Sequence, residues 1–315
     1  MRGRLAGAGV CRAMAAMGCA VLLGAVTMAA TPVSEPATST NALRVCADPN
    51  NMPFSDRDLQ GFENRIASVL ARDLGKVPVY TWWAQRRGFL RTTLNAHECD
   101  VVVGITAGAD RVLTTPAYYR SAYVFVTRRD RHLAISSFDD PRLRTLRVGL
   151  HVIGADYNSL PPGVALASRA IVHNVVGYSI YGNYAKASPP SDLITAVEKG
   201  DVDVAIAWGP LAGYYAKQSP VPLTLTPVAT PTAGHGIPFA YDIAVGVRPD
   251  DRDLANRIAG VLVRRHAEID RILRGYGVPM IGAPPAAAAP AAHRAAVSPG
   301  VTLSCLPRGE GRQCA

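Results

Sequence analysis

The stretch "ADPNNMPF" sets two chemistries side by side. Asp48, Asn50 and Asn51 offer a carboxylate and two amides, while Met52 and Phe54, stiffened by Pro49 and Pro53, offer an apolar surface held in shape. Asx side chains also close turns, so the polar trio has an architectural use beside a binding one. A second stretch, "WWAQRRGF", places Gln85, Arg86 and Arg87 next to Trp82 and Trp83. Two guanidinium forks suit an anion or an acidic partner, and the indoles beside them suit a protein interface; the alternative is a solvated turn with an indole in the core. A third, "TPAYYRS", adds Tyr118, Tyr119 and Arg120, as ligand contacts or as hinge packing. Asp48, Glu63 and His151 could supply acid and base groups, yet no nucleophile elbow or phosphate loop accompanies them. "HEC" (His97 to Cys99) lacks the ligand spacing of a zinc site. These residues describe a binding surface better than a catalytic centre, and they imply no cofactor.

The elements around these stretches alternate. "LRVCA" is a short buried strand that runs straight into the first loop. Gly61 to Leu74 reads as a helix with Phe62, Ile66, Val69, Leu70 and Leu74 on one face, ended by Gly75. "VPVYTWWA" is a second strand, "RGFLRTTLNA" a helix with Phe89, Leu90 and Leu94 inward, and "DVVVGI" a third strand. The same grammar returns in "LRVGL", a helix from Pro190 to Lys199, and "DVDVAIAW". Two extended segments, "SAYVFVTRR" and "VPLTLTPVAT", flank this second unit, and "YDIAVGV" and one long helix from Asp251 to Tyr276 follow.

A chain that leaves one α/β unit, builds another and returns predicts two hinged lobes with a cleft between them. The expected fold is a two-lobed α/β protein, each lobe a Rossmann-like parallel sheet, joined by two crossover segments. Residues 42–127 and 228–282 make lobe 1 and residues 128–227 lobe 2. Ligands of open parallel sheets sit beyond the carboxyl ends of the strands. That places "ADPNNMPF", "WWAQRRGF", "ITAGADR", "HVIGADY" and "WGPLAGYY" at the cleft as loops, bringing Thr106, Arg111, His151, Asp156 and Trp208 to it, with Tyr241 at the head of the returning strand.

Arg2, Arg4 and Arg12 precede the uncharged run "AMAAMGCAVLLGAVTMAA", which reads as a secretory signal over residues 1–30, with an uncleaved anchor as the alternative. Cleavage would leave no transmembrane span. Export makes cysteines readable as disulfides. Cys11 and Cys19 leave with the signal; Cys305 and Cys314 lie close enough to close a local loop, which pairs Cys46 with Cys99 by elimination. Their register, one late in a strand and one just before the next, calls for a bent approach. Residues 283–315 form an Ala/Pro-rich spacer and a Cys-containing tail without the means to build a core. The formal net charge of +9 drops to +6 without the three signal arginines, which suits an acidic partner protein. No basic run with interleaved aromatics argues for nucleic acid.

From Leu43 to Ile281 the chain resembles the type II periplasmic solute-binding proteins. "LRVCADPNNMPFSD", "GFENRIASVLARDLG", "YTWWAQRRGFLRTTLNAHECDVVVGI" and "TTPAYYRSAYVFVTR" are similar to one branch of them, the MoxJ and XoxJ proteins. The resemblance implies a periplasmic protein that assists maturation or activation of a quinoprotein (PQQ) methanol or alcohol dehydrogenase subunit; the residues suggest a non-enzymatic role in which a cleft floored by Met52, Phe54 and Trp208 holds part of that enzyme. The alternative is a receptor of an importer for a small non-amino-acid ligand. Amino-acid receptors of the wider family carry Gly-x-(Ser/Thr)-x-Thr-x-x-Arg after the third strand, whose Arg forks onto the ligand carboxylate. Gly104, Thr106 and Arg111 keep that spacing, but Gly108 replaces the second Thr. Trp208 stands where those receptors place an Asp for the ligand ammonium, so an ordinary amino acid would leave a buried amine unpaired.

Overall fold

The computed structural model describes residues 41–153, 160–180, 189–229 and 237–282. The chain opens with β1 (Ala42–Ala47), a small hairpin of β2 (Asn50–Asn51) and β3 (Ser55–Asp56), then α1 (Phe62–Asp73) and β4 (Val77–Trp82). It continues with α2 (Phe89–Thr92), β5 (Val101–Thr106), β6 (Leu113–Thr114) and the ten-residue β7 (Tyr119–Arg128). Next come β8 (Val148–Val152), α3 (Pro161–Ala167), β9 (Val175–Ser179), α4 (Asp192–Lys199), β10 (Val204–Trp208), α5 (Gly209–Gln218) and β11 (Leu223–Pro227). The chain then returns through β12 (Ala240–Val247), α6 (Arg252–Arg264) and α7 (His266–Gly275).

The strands run in the order β4-β1-β5-β12-β7-β10-β8-β9. Each lobe is built on three parallel strands, β4-β1-β5 in the first and β10-β8-β9 in the second. The crossover strands add to these antiparallel. β7 pairs with β12 through Tyr119–Ala122, and its remainder lies between β10 and β11. One strand thus belongs to both lobes.

Helix α1 shows why the local sequence folds as it does. Phe62, Ile66, Val69 and Leu70 are buried in the first core with Val101, Val103, Val245 and Ile258. Gly75, at φ +66, turns the chain out of the helix, and Lys76 N–H donates to the Ala71 carbonyl at 2.8 Å. Lobe 2 has two cores of its own. One gathers Phe125, Leu150 and Ile206 with Val228 and Phe239 of the returning segment that the sequence assigns to lobe 1, the other Val124, Val126, Leu193, Val197 and Leu211.

Three elements differ from the sequence expectation. "RGFLRTTLNA" yields only the four-residue α2 and a short 3-10 turn, because the Thr92 and Thr93 hydroxyls donate to the carbonyls of Gly88 and Phe89 and compete with the helical ladder. The long helix from Asp251 to Tyr276 breaks at Arg265, where Arg264 and Arg265 each donate one hydrogen bond to a different carboxylate oxygen of Asp73 at the end of α1. "WGPLAGYY" is not a loop but the first two turns of α5, whose Pro210 falls in the opening turn where proline costs a helix nothing.

Cys46 and Cys99 are bonded, with their Cα atoms an ordinary 5.6 Å apart, so no bent approach is needed. The bridge packs against Phe89, Leu94 and Val102 and ties β1 to the segment entering β5. Cys305 and Cys314 lie outside the described residues. Replacing Cys46 and Cys99 by Ser should lower the unfolding free energy by about 2–4 kcal/mol, read from denaturant midpoints with and without reductant. An unchanged midpoint would mean that the bridge adds nothing to the fold.

Candidate functional site

The loop after β1 is held by its own polar side chains. Asp48 is buried; its Oδ1 accepts from the Asn50 amide at 2.9 Å and its Oδ2 from the Gln85 amide at 2.6 Å. Its own N–H donates to Ser55 Oγ, which donates back to the Asp48 carbonyl. Asn51 Nδ2 donates to Gln85 Oε1 at 3.2 Å. Asp48 is therefore the tie between the first loop and "WWAQRRGF". The hairpin ends against the start of α1, where the N–H groups of Phe62 and Glu63 donate to the carbonyls of Pro53 and Phe54. Gly61 permits this approach, since a Cβ there would stand 2.0 Å from the Phe54 carbonyl oxygen.

Between the lobes lies a cleft of about 370 Å³. Asp48, Asn50, Asn51, Phe54, Gln85, Thr106, Tyr119, His151, Trp208 and Tyr241 all line it. Trp208 and Tyr123 are register partners across β10 and β7, with ring centroids 5.4 Å apart, and Tyr241 approaches the other side of Trp208 at 5.9 Å. Both lobes thus contribute to one aromatic wall, completed by Leu211 and Ile243.

The remaining predicted residues lie elsewhere. Met52 is buried and does not reach the cleft floor; its carbonyl accepts from Tyr215 Oη of α5 at 3.2 Å. Trp83 is half exposed outside the cleft. Arg120 is engaged 2.8 Å from Asp242, its register partner on β12. Arg86 and Arg111 line a second cavity of about 430 Å³ on lobe 1, with Arg91 and Asp110, and share Gln85 and Gly104 with the main cleft. Arg87 is exposed beside it. Asp156 lies outside the described residues.

Two wall residues escaped sequence reasoning as binding groups. Glu63 sits in the first turn of α1, where an acid usually serves only the helix dipole. Here its Oε1 lies over β5, 1.8 Å from where a Cβ on Gly104 would stand, so glycine is required beneath it. Burial, reinforced by the charge of Asp48, pushes this carboxyl up to about 8. Tyr123 was signalled by strand alternation, since Tyr119 and Tyr123 recur at even spacing along β7. His151 is buried, and desolvation holds it down at about 4, so it is neutral at pH 7 and donates from Nε2 to the Pro190 carbonyl at 3.0 Å. Among the described residues no cluster of three or more His, Cys, Asp or Glu could hold a metal ion.

A cleft between two α/β lobes, linked by strands that cross from one sheet to the other, defines a two-lobed protein of the type II periplasmic solute-binding fold. The chain is 34% identical over 282 residues to Protein MoxJ of Methylorubrum extorquens, covering 85% of this chain and 91% of that one. The chain belongs to the MoxJ family. Among solved structures it is similar to MxaJ from Methlophaga aminisulfidivorans, with 27% identity and a TM-score of 0.63, and to the periplasmic binding protein XoxJ from Methylobacterium extorquens AM1, with 33% identity and a TM-score of 0.62. Each match covers 76% of this chain and 100% of the other. No family model matches.

The position of Glu63 has a consequence for stability. Its proton is held more tightly in the folded chain, at about 8, than at the ordinary 4.5, so folding suffers no penalty below pH 4.5 and loses stability as pH rises toward 8. Glu63→Gln should raise the unfolding free energy by up to about 4 kcal/mol at pH 8 and by less than about 0.5 kcal/mol at pH 4.5. Thermal unfolding across that range checks this; a gain of equal size at both pH values would contradict it.

Proposed function

We propose that this chain is a non-enzymatic periplasmic binding protein that assists maturation or activation of a PQQ-dependent methanol or alcohol dehydrogenase by holding part of that enzyme at the interlobe cleft. Membership of the MoxJ family supports the link to methanol oxidation. The observation that carries the rest is the indole of Trp208 between Tyr123 and Tyr241, in a cleft whose lining does not include Arg111, the position at which amino-acid receptors hold the ligand carboxylate. Such a wall favours an apolar segment over an amino acid. A conventional solute receptor would turn converging polar groups toward its ligand, whereas Asp48, Asn51 and Gln85 are joined to one another. Nearby, Arg86, Arg91 and Arg111 give the rim a basic cavity suited to an acidic partner surface.

Arg86→Ala combined with Arg87→Ala should weaken capture of a quinoprotein methanol dehydrogenase by about tenfold and flatten its dependence on salt, whereas Trp208→Ala should weaken capture at every salt concentration. Biolayer interferometry with the immobilised chain separates the two effects. Capture unaltered by the double substitution would remove the rim from the contact, and capture unaltered by Trp208→Ala would remove the cleft.

A further inference from the structure

The cleft is opposite in charge to the chain that forms it. Against a formal net charge of +9, the described residues of its wall include Asp48 and Glu63 and no lysine or arginine. Asp48 is taken up by the amides of Asn50 and Gln85. Glu63 differs: among the described residues no donor reaches its carboxyl, although the side chain lines the cleft over Gly104. A partly exposed carboxyl pressed against the β5 backbone and without a partner is costly in its charged form, and the cost falls when a cation arrives. Phe54, Tyr119, Tyr123, Trp208 and Tyr241 turn aromatic groups into the same space, and the negative faces of such rings attract cations while their area holds aliphatic chain.

We propose that the interlobe cleft takes an alkylammonium group, its charged head on the Glu63 carboxyl and its apolar stem against the wall of Tyr123, Trp208 and Tyr241. This rests on the cleft being the binding site and names the chemistry the site accepts. A lysine side chain of the dehydrogenase and a free alkylamine both present that chemistry. Glu63 faces Asp48 from the first loop, Tyr118 just before β7 and Tyr119 at its start, and none of these supplies a positive charge. His151, across the cleft, is neutral. The carboxyl of the empty cleft is therefore mostly protonated at pH 7, and the incoming ammonium displaces that proton to the solvent.

Calorimetric titration of the whole chain with n-butylammonium, in two buffers of different ionisation enthalpy, tests this. The expected result is saturable binding with release of up to one proton at pH 7 and affinity that rises with pH to about 8 and then levels off, the ammonium staying charged to about pH 10. Butyrate should not compete, and Glu63→Gln should weaken binding more than tenfold. Absence of butylammonium binding, or equal binding to Glu63→Gln, overturns the proposal, and so does a wild-type affinity that ignores pH. Dehydrogenase capture by Glu63→Gln then identifies the source. Loss of capture together with loss of butylammonium supports a lysine of the dehydrogenase, and full capture without butylammonium binding supports a free amine. If the wild-type chain binds butylammonium but captures no dehydrogenase, only the assembly role fails.

Discussion

β7 is the constraint on which the rest of the molecule depends. Its first four residues complete the sheet of lobe 1, and its last six complete the sheet of lobe 2. Because side chains alternate along a strand, the same backbone that joins the lobes also turns Tyr119 and Tyr123 into the space between them. α5 braces the junction from lobe 2. Gly213 packs so closely on the Gly277 carbonyl that a Cβ there would stand 1.9 Å from its oxygen, Tyr214 stacks on Tyr276, and Ser121 donates to the Pro279 carbonyl at 2.7 Å. The cleft is the space left by these contacts.

Much of the architecture was legible in the sequence because it follows from periodicity. The apolar face of α1 and the alternation of strand and helix required no knowledge of the partners of each element. The failures had local causes. Side-chain hydroxyls shortened α2, and the last helix breaks at Arg265, whose backbone leaves the helical region at φ −103 and ψ 12. Pro210, which punctuates a loop in one context, opened a helix in another. The candidate site was legible as a set of loops and less so as a set of side chains. Asp48 and Asn51 were chosen for their chemistry and do reach the cleft, but their hydrogen bonds are directed at Gln85. Glu63 was seen only as a spare acid, because the feature that distinguishes it, the missing side chain of Gly104 beneath it, comes from a strand 41 residues further on.

Glu63 also shows how binding and stability oppose each other here. A carboxyl that no donor among the described residues reaches lowers the stability of the empty protein at neutral and alkaline pH. Groups kept at such a cost belong to the small class of residues whose partner arrives from outside. Asp48, before the same hairpin, is the structural counterpart: a more deeply buried carboxylate whose hydrogen bonds are made within the chain. Two acids a few residues from one hairpin thus serve different ends, one building the wall and one facing the space.

Hydrogen exchange of the chain, alone and mixed with a quinoprotein methanol dehydrogenase, shows whether part of that enzyme enters the cleft. Slowed exchange is expected at the cleft-lining segments Asn50 to Phe54, Gly104 to Thr106 and Trp208 to Leu211. Slowed exchange confined to an outer edge such as β4, with those three segments unchanged, would contradict such entry.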